Sequence, residues 1–285
     1  MDNRYIVVTG ASKGIGRATA LYLDKQGFNV FAAVRNPIDG QALQKEASSR
    51  LKVIQIDVTN ADQIKTAAHD VAQTVGAEGL AGLVNNAGIA VGAPLEFIPI
   101  DELRRQLEIN VVGQVAVTQA FLPYIRQARG RIINVSSIGG RIAGPNIGAY
   151  HASKFALEAI TDTLRAELKP WGIEVISIEP GGVRTPIWET STNLANQLIA
   201  KMPPQFHELY PEMAATAEKL ALNSTSGGIA PEKVAEVIGR ALTTARPKTR
   251  YLVGPDARIV GTIIVRLPDR VRDRLLARQG GVARS

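Results

Sequence analysis

Seven apolar runs of strand length, separated by longer stretches of helical period, set the strongest limit on how these 285 residues can fold. The runs are YIVV from Tyr5, NVFAAV from Asn29, LKVIQI from Leu51, GLVN from Gly82, RIINV from Arg131, IEVISI from Ile173 and RYLV from Arg250. Runs rich in β-branched residues, with little polar alternation, fit strands covered on both faces; helical patterns between them fit βαβ crossovers. The spacing therefore predicts an α/β fold: one parallel sheet of seven strands with helices on both faces, filling a single domain over residues 1–255. Residues 186–228 break the rhythm, and an insertion at the carboxyl edge of a parallel sheet commonly builds a substrate lid.

Composition narrows the function classes. With 45% hydrophobic and 21% charged residues the chain is neither disordered nor fibrous. No apolar run approaches the ~20 residues that span a bilayer. The opening MDNRYIVVTGAS enters a strand at once and leaves no room for a signal peptide, so a cytoplasmic protein is expected. There is no cysteine, which excludes disulfides, thiolate nucleophiles and cysteine zinc sites. The histidines (His69, His151 and His207) lack ligand spacing, so no metal is expected. Ten basic and three acidic residues lie from Arg246 onward, which accounts for the whole net charge of +7. A neutral body argues against nucleic acid as a partner. The basicity belongs to a tail, residues 256–285.

The first strand runs into Thr9-Gly10-Ala11-Ser12-Lys13-Gly14-Ile15-Gly16, and a helical pattern follows. Glycines at 10, 14 and 16 permit a tight turn, close backbone approach to a pyrophosphate and close packing of helix on strand. The helix start then offers free N–H groups to an anion. A glycine triplet alone is an ordinary turn; its place between the first strand and first helix favours a dinucleotide site. After the second strand, where an NAD site would offer an acid to the ribose 2′-hydroxyl, the chain has Val34-Arg35-Asn36-Pro37. Arg35 and Lys13 would instead pair with a 2′-phosphate, so NADP(H) is the expected cofactor.

Tyr150 and Lys154 stand one helical turn apart on one face, and Ser137 follows the fifth strand at the sheet's carboxyl edge. A free phenol, with a pKa of ~10, is a poor acid or base at neutrality. An ammonium ~4.5 Å away would stabilise the phenolate by roughly 3.7 kcal/mol at an effective dielectric of ~20, with burial opposing. Singly, each residue has an ordinary alternative: a surface pair, a helix cap at Ser137, a satisfied buried amide at Asn110. His151, about 100° around the helix from Tyr150, reads as structural.

Taken together, Thr9 to Gly16 (TGASKGIG), Asn85 to Gly88 (NNAG), Asn110, Ser137, Tyr150-x-x-x-Lys154 and Pro180-Gly181 resemble the short-chain dehydrogenase/reductase family in order and spacing. The likeness is to its compact single-domain branch and covers roughly Arg4 to Gly254. It implies a Rossmann-type doubly wound sheet of order 3-2-1-4-5-6-7 and hydride transfer without a metal. By the same likeness Tyr150 is the general acid/base and Lys154 its partner and ribose contact. Ser137, thirteen residues before the tyrosine, binds the substrate oxygen in preference to Ser136; Asn110 holds a water in the proton relay. Asp57 and Val58 face the adenine. Asn86, Ala87 and Gly88 wall the adenine ribose, and Pro180, Gly181, Val183 and Thr185 pack on the nicotinamide. Ser12, Lys13 and Ile15 complete the glycine turn around Gly10, Gly14 and Gly16.

Trp188, Leu198, Ile199, Met202, Phe206, Leu209, Tyr210, Met213 and Leu220, with Ile89, Val91, Leu95 and Phe97, are candidates for an apolar pocket, the alternative being that half of them pack the insertion onto the body. The layout resembles steroid- and retinol-dehydrogenase-like members, which implies a bulky lipophilic carbonyl or alcohol and a homodimer or homotetramer. The tail pattern DRVRDRLLAR from Asp269 fits packing on the body or a second copy, with peripheral membrane contact as the alternative. Two rival functions remain at this point: a non-catalytic NADP-binding sensor or scaffold, and a sugar-nucleotide epimerase, which usually has a longer C-terminal domain.

Overall fold

The seven apolar runs become seven strands of one parallel sheet in a computed structural model of the chain, which describes residues 4–211 and 227–279. They are β1 (Tyr5–Val8), β2 (Asn29–Val34), β3 (Leu51–Gln55), β4 (Gly82–Asn85), β5 (Arg131–Val135), β6 (Glu174–Pro180) and β7 (Arg250–Val253). Their order is β3-β2-β1-β4-β5-β6-β7, the Rossmann-type doubly wound arrangement that the resemblance implies. Chain direction along the sheet reverses between β1 and β4, which opens a crevice at their carboxyl ends.

Both faces of the sheet are dry. Ile6, Val8, Val30, Ile133 and Ile176 pack with Leu23 of α1 (Gly14–Lys25) and Val234 and Ile238 of a helix over Pro231–Thr243. Val7, Phe31, Leu83, Ile132 and Val175 turn the other way, onto α3 (Ala61–Val75) and Phe121 and Ile125 of α5 (Gly113–Ala128). Neighbouring strand residues thus feed opposite cores, which is why the runs carry no polar alternation. Caps punctuate the crossovers: Asn36 accepts from Ile38 N at 3.1 Å ahead of α2 (Pro37–Glu46), and Asn60 from Gln63 N at 3.0 Å ahead of α3.

The stretch from Asp101, which reads as one helical pattern, is divided. α4 (Ile100–Leu107) meets α5 through a π turn over Glu108–Val112. Asn110 sits in that turn, drawn in by hydrogen bonds to Ile89, and a Cβ on Gly113 would stand 2.6 Å from the Val58 carbonyl oxygen. α6 (Gly148–Leu168) carries Tyr150 and Lys154. The insertion holds α7 (Pro186–Ile199) and α8 (Pro204–Leu209); Pro231–Thr243 is α9.

The basic segment does not begin as a free tail. α10 (Pro255–Thr262) lies against the body with Ala257 and Gly261 buried, Gly261 passing close to Leu252 and Ile138. α11 (Asp269–Gln279) follows, with Val271 and Leu275 exposed. No described helix is long and apolar enough to cross a membrane.

Candidate active site

The crevice at the β1–β4 switch continues toward β5 and β6 as one cleft of about 660 Å³. Along one wall it gathers Gly10, Ser12, Lys13, Gly14 and Ile15, with Arg35 after β2, Asp57 and Val58 after β3, and Asn86, Ala87 and Gly88 after β4. Its far end holds Ser137, Tyr150 and Lys154, then Pro180, Gly181, Val183 and Thr185 after β6. Of the catalytic and cofactor candidates, Gly16 and Asn110 do not line it.

Gly10 (φ +64°) and Gly14 (φ +55°) hold the turn in the left-handed region. A Cβ on Gly16 would collide with the Gly10 carbonyl and the Asn86 amide, so only glycine lets α1 start this close to β1. Asn86 fixes the turn by donating Nδ2 to Thr9 O at 2.9 Å and Gly10 O at 3.2 Å. Buried Thr9 ties both motifs together, its Oγ1 accepting from Asn86 N at 2.9 Å and Ala87 N at 3.1 Å.

The cleft suits a phosphorylated dinucleotide on grounds of its own. No side chain caps the first turn of α1 and no acid lies in it, so its N–H groups are available to an anion. Lys13 and Arg35, both on the cleft, take part in no ion pair among the described residues, whereas Arg17 nearby is paired with Glu46. Asp57 is occupied as an acceptor, its Oδ1 taking Thr59 N at 3.0 Å and Thr59 Oγ1 at 2.8 Å.

At this far end Ser137 accepts from Gly139 N at 3.0 Å, and its hydroxyl lies beside the Tyr150 phenol. Ser136 also borders the cleft, but its buried hydroxyl has no hydrogen-bond partner among the described residues. Lys154 Nζ donates to the Val135 carbonyl at 2.9 Å and lies 5.7 Å from the Tyr150 ring centroid. Both groups are deeply buried, and this reverses the balance expected from the dyad alone. Burial pushes the Tyr150 phenol up, with the Ser137 hydrogen bond pulling the other way. Burial brings the Lys154 ammonium down to about 8, opposed by the charge of Glu158. His151 Nδ1 lies 2.9 Å from Gly139 O, and burial lowers its pKa.

Both ends of the Asn110 amide are engaged: Oδ1 accepts from Ile89 N at 2.9 Å, while Nδ2 donates to Ile89 O at 2.9 Å and Ser153 Oγ at 3.0 Å. It braces the strand-to-helix segment after Gly88.

Only part of the expected apolar lining faces the cleft. Ile89 and Trp188 do. Phe206 packs edge-on to Phe97, with Val91, Leu198, Ile199, Met202 and Tyr210 in the same cluster, and so fastens the insertion to the body. Leu95 and Leu209 are exposed. Met213 and Leu220 lie outside the described residues. The wall is instead one face of α7, where Ile187 and Leu194 alternate with Thr190, Ser191, Asn193 and Gln197. Sequence reasoning missed these; their i, i+3, i+4 and i+7 spacing was the available signal.

The sequence matches the short chain dehydrogenase family over residues 4–195. It is 38% identical to retinol dehydrogenase 5 of Mus musculus, over 96% of this chain and 88% of that one. It is 34% identical to an NADPH-dependent 3-dehydrocapnine reductase of Ornithobacterium rhinotracheale, over 95% of each chain. A short chain dehydrogenase from Burkholderia cenocepacia J2315, solved in complex with NADP, superposes with a TM-score of 0.72 at 28% identity over 97% of both chains.

Proposed function

Because the chain belongs to the short-chain dehydrogenase family, an oxidoreductase family, we propose that it is an NADP(H)-dependent enzyme interconverting a carbonyl and an alcohol on a bulky lipophilic molecule. The observation that carries this reading is the gathering of Ser137, Tyr150 and buried Lys154 in the same cleft as the glycine turn. The nicotinamide, when bound, supplies or takes up the hydride.

The chain's own residues do the rest. Ser137 and Tyr150 hold the substrate oxygen between two hydroxyls, and in the direction of reduction Tyr150 gives its proton to that oxygen. Lys154 holds a positive charge beside the phenolate left behind; the proton it passes to that phenolate is replaced from solvent through the relay water, which restores the ammonium. The relay water that Asn110 holds is assigned to its backbone, since both ends of its amide already serve Ile89 and Ser153. Pro180, Gly181, Val183 and Thr185 present the wall on which the nicotinamide end rests, while Asn86, Ala87 and Gly88, with Asp57 and Val58, enclose the adenosine end.

Preference for the 2′-phosphate is supported by the uncommitted cations Lys13 and Arg35 and by two similar proteins, one named NADPH-dependent and one holding NADP. A lipophilic substrate is supported by the likeness to a retinol dehydrogenase and by Ile89, Ile187, Trp188 and Leu194 on the cleft. Neither a non-catalytic sensor nor an epimerase is favoured by these relatives. Assembly into a homodimer or homotetramer is part of the same reading. For the tail, Ile259, Ile263, Val271 and Leu275 are exposed among arginines, which suits a second copy or an anionic lipid surface; co-sedimentation with anionic vesicles separates the two.

Tyr150→Phe removes the acid at nearly constant volume. The expected result is a loss of ketone reduction of ~100-fold or more with NADPH binding retained. Near-native turnover would reject the assignment.

A further inference from the structure

The segment read from sequence as a tail reaches back to the cleft at one point. Beyond β6, Gly181 N donates to Val253 O at 3.0 Å, which continues the pairing of β6 with β7. The next residue leaves the sheet. Gly182 N donates to Asp256 Oδ2 at 2.7 Å, and Gly182 O accepts from Ile229 N at 2.9 Å. Asp256 lies in the first turn of α10, where the helix end favours its charge. Glycines make room for it on both sides. A Cβ on Gly181 would run into the carboxylate, and a Cβ on Gly254 would stand 2.6 Å from Oδ1. Asp256 is exposed, so it adds little to the core. What it holds is the turn whose neighbours Pro180, Gly181, Val183 and Thr185 all border the cleft.

We propose that Asp256 is a positioning residue for the cofactor site: it fixes the backbone of the Pro180–Thr185 turn where the nicotinamide end rests, which makes α10 a working part of that site. The inference rests on the dinucleotide reading above. It has a physical basis in preorganisation. A turn held at both its N–H and its C=O meets the coenzyme without first being ordered, whereas a turn freed at one of them must lose that freedom on binding. It also separates the two helices of the basic segment, since α10 serves the cleft and α11 does not touch it.

The test is NADPH binding to the full chain, followed by coenzyme fluorescence, with kcat and the KM for NADPH measured alongside. Asp256→Ala is expected to weaken NADPH roughly ten-fold, the scale of one charge-assisted hydrogen bond, while kcat at saturating NADPH stays within about three-fold. Asp256→Asn keeps an acceptor oxygen in place and should restore near-native affinity. Asp256→Glu keeps the charge at the helix end but pushes the carboxylate into Gly181, so it too should weaken NADPH. If Asp256 only capped α10, Asp256→Glu would bind as the native chain does; that result, or unchanged affinity in a folded Asp256→Ala, overturns the proposal. Should Asp256→Ala not fold, Asp256→Asn and Asp256→Glu decide the matter. A native chain that fails to bind NADPH would count against the proposed function instead.

Discussion

Lys154 donates to the Val135 carbonyl at 2.9 Å, at the carboxyl end of β5, from a position where burial has brought its pKa down to about 8. An ammonium buried there is costly for folding. Below pH 8 the folded and unfolded chains both carry the proton, and the desolvation penalty is fully present. Between pH 8 and the free value of 10.5 the folded chain sheds the proton first, and stability rises with pH.

Lys154→Met keeps the length of the side chain and removes the charge. The lysine penalty is up to about 3 kcal/mol, and the unsatisfied Val135 carbonyl returns about 1 kcal/mol. The variant is therefore expected to be inactive yet more stable at pH 7 by about 1–2 kcal/mol, a Tm gain of a few degrees. Thermal unfolding at pH 7 and pH 10 checks this: the gain should shrink at the higher pH. A variant less stable at both would contradict it.

Glu179 gives the opposite pH dependence. It is fully buried beside Glu158, with Arg141 at 3.5 Å and Arg250 at 3.2 Å, and burial pushes its carboxyl up to about 7. Between pH 4.5 and 7 the folded chain keeps a proton that the unfolded chain has lost, so this group's contribution falls as pH rises. Urea unfolding of Glu179→Gln should show a flatter dependence between pH 5 and 8, with the curves diverging by up to about 3 kcal/mol. Parallel curves would mean that Glu179 is ionised throughout.

Arg35 borders the cleft and makes no ion pair among the described residues. Arg35→Ser should lower kcat/KM for NADPH by ~10-fold or more and leave NADH little changed, as loss of a charge-assisted contact to a 2′-phosphate requires. Equal losses with both coenzymes would remove Arg35 from that role.

Phe206, 1% exposed, is the largest buried side chain fastening the insertion. Phe206→Ala should cost about 3 kcal/mol of packing, raise the KM for bulky ketones and leave NADPH affinity unchanged. Parallel losses in both would place Phe206 in the cofactor site rather than in the lid anchor.

Much of the site was legible because it is built from local pattern. Gly10, Gly14 and Gly16 announce a strand-to-helix turn; Tyr150 and Lys154 share a face because of the helical period; Ser137 follows the end of a strand. The apolar residues of the insertion were less informative, since burial in a lid anchor and lining of a pocket select the same side chains. Phe206 and Trp188 are equally apolar, and only packing sends one to a core and the other to the cleft.

The sequence by itself determined the strands, the parallel sheet, the glycine turn and the spacing of the candidate dyad, since each follows from periodicity over a few residues. Tertiary structure alone decided the depth at which Tyr150 and Lys154 are buried, the pairing of Glu179 with Arg141 and Arg250, and the reach of Asp256 to Gly182 across 74 residues. Desolvation and long-range hydrogen bonds depend on what the rest of the chain brings alongside a group, and no local pattern carries that.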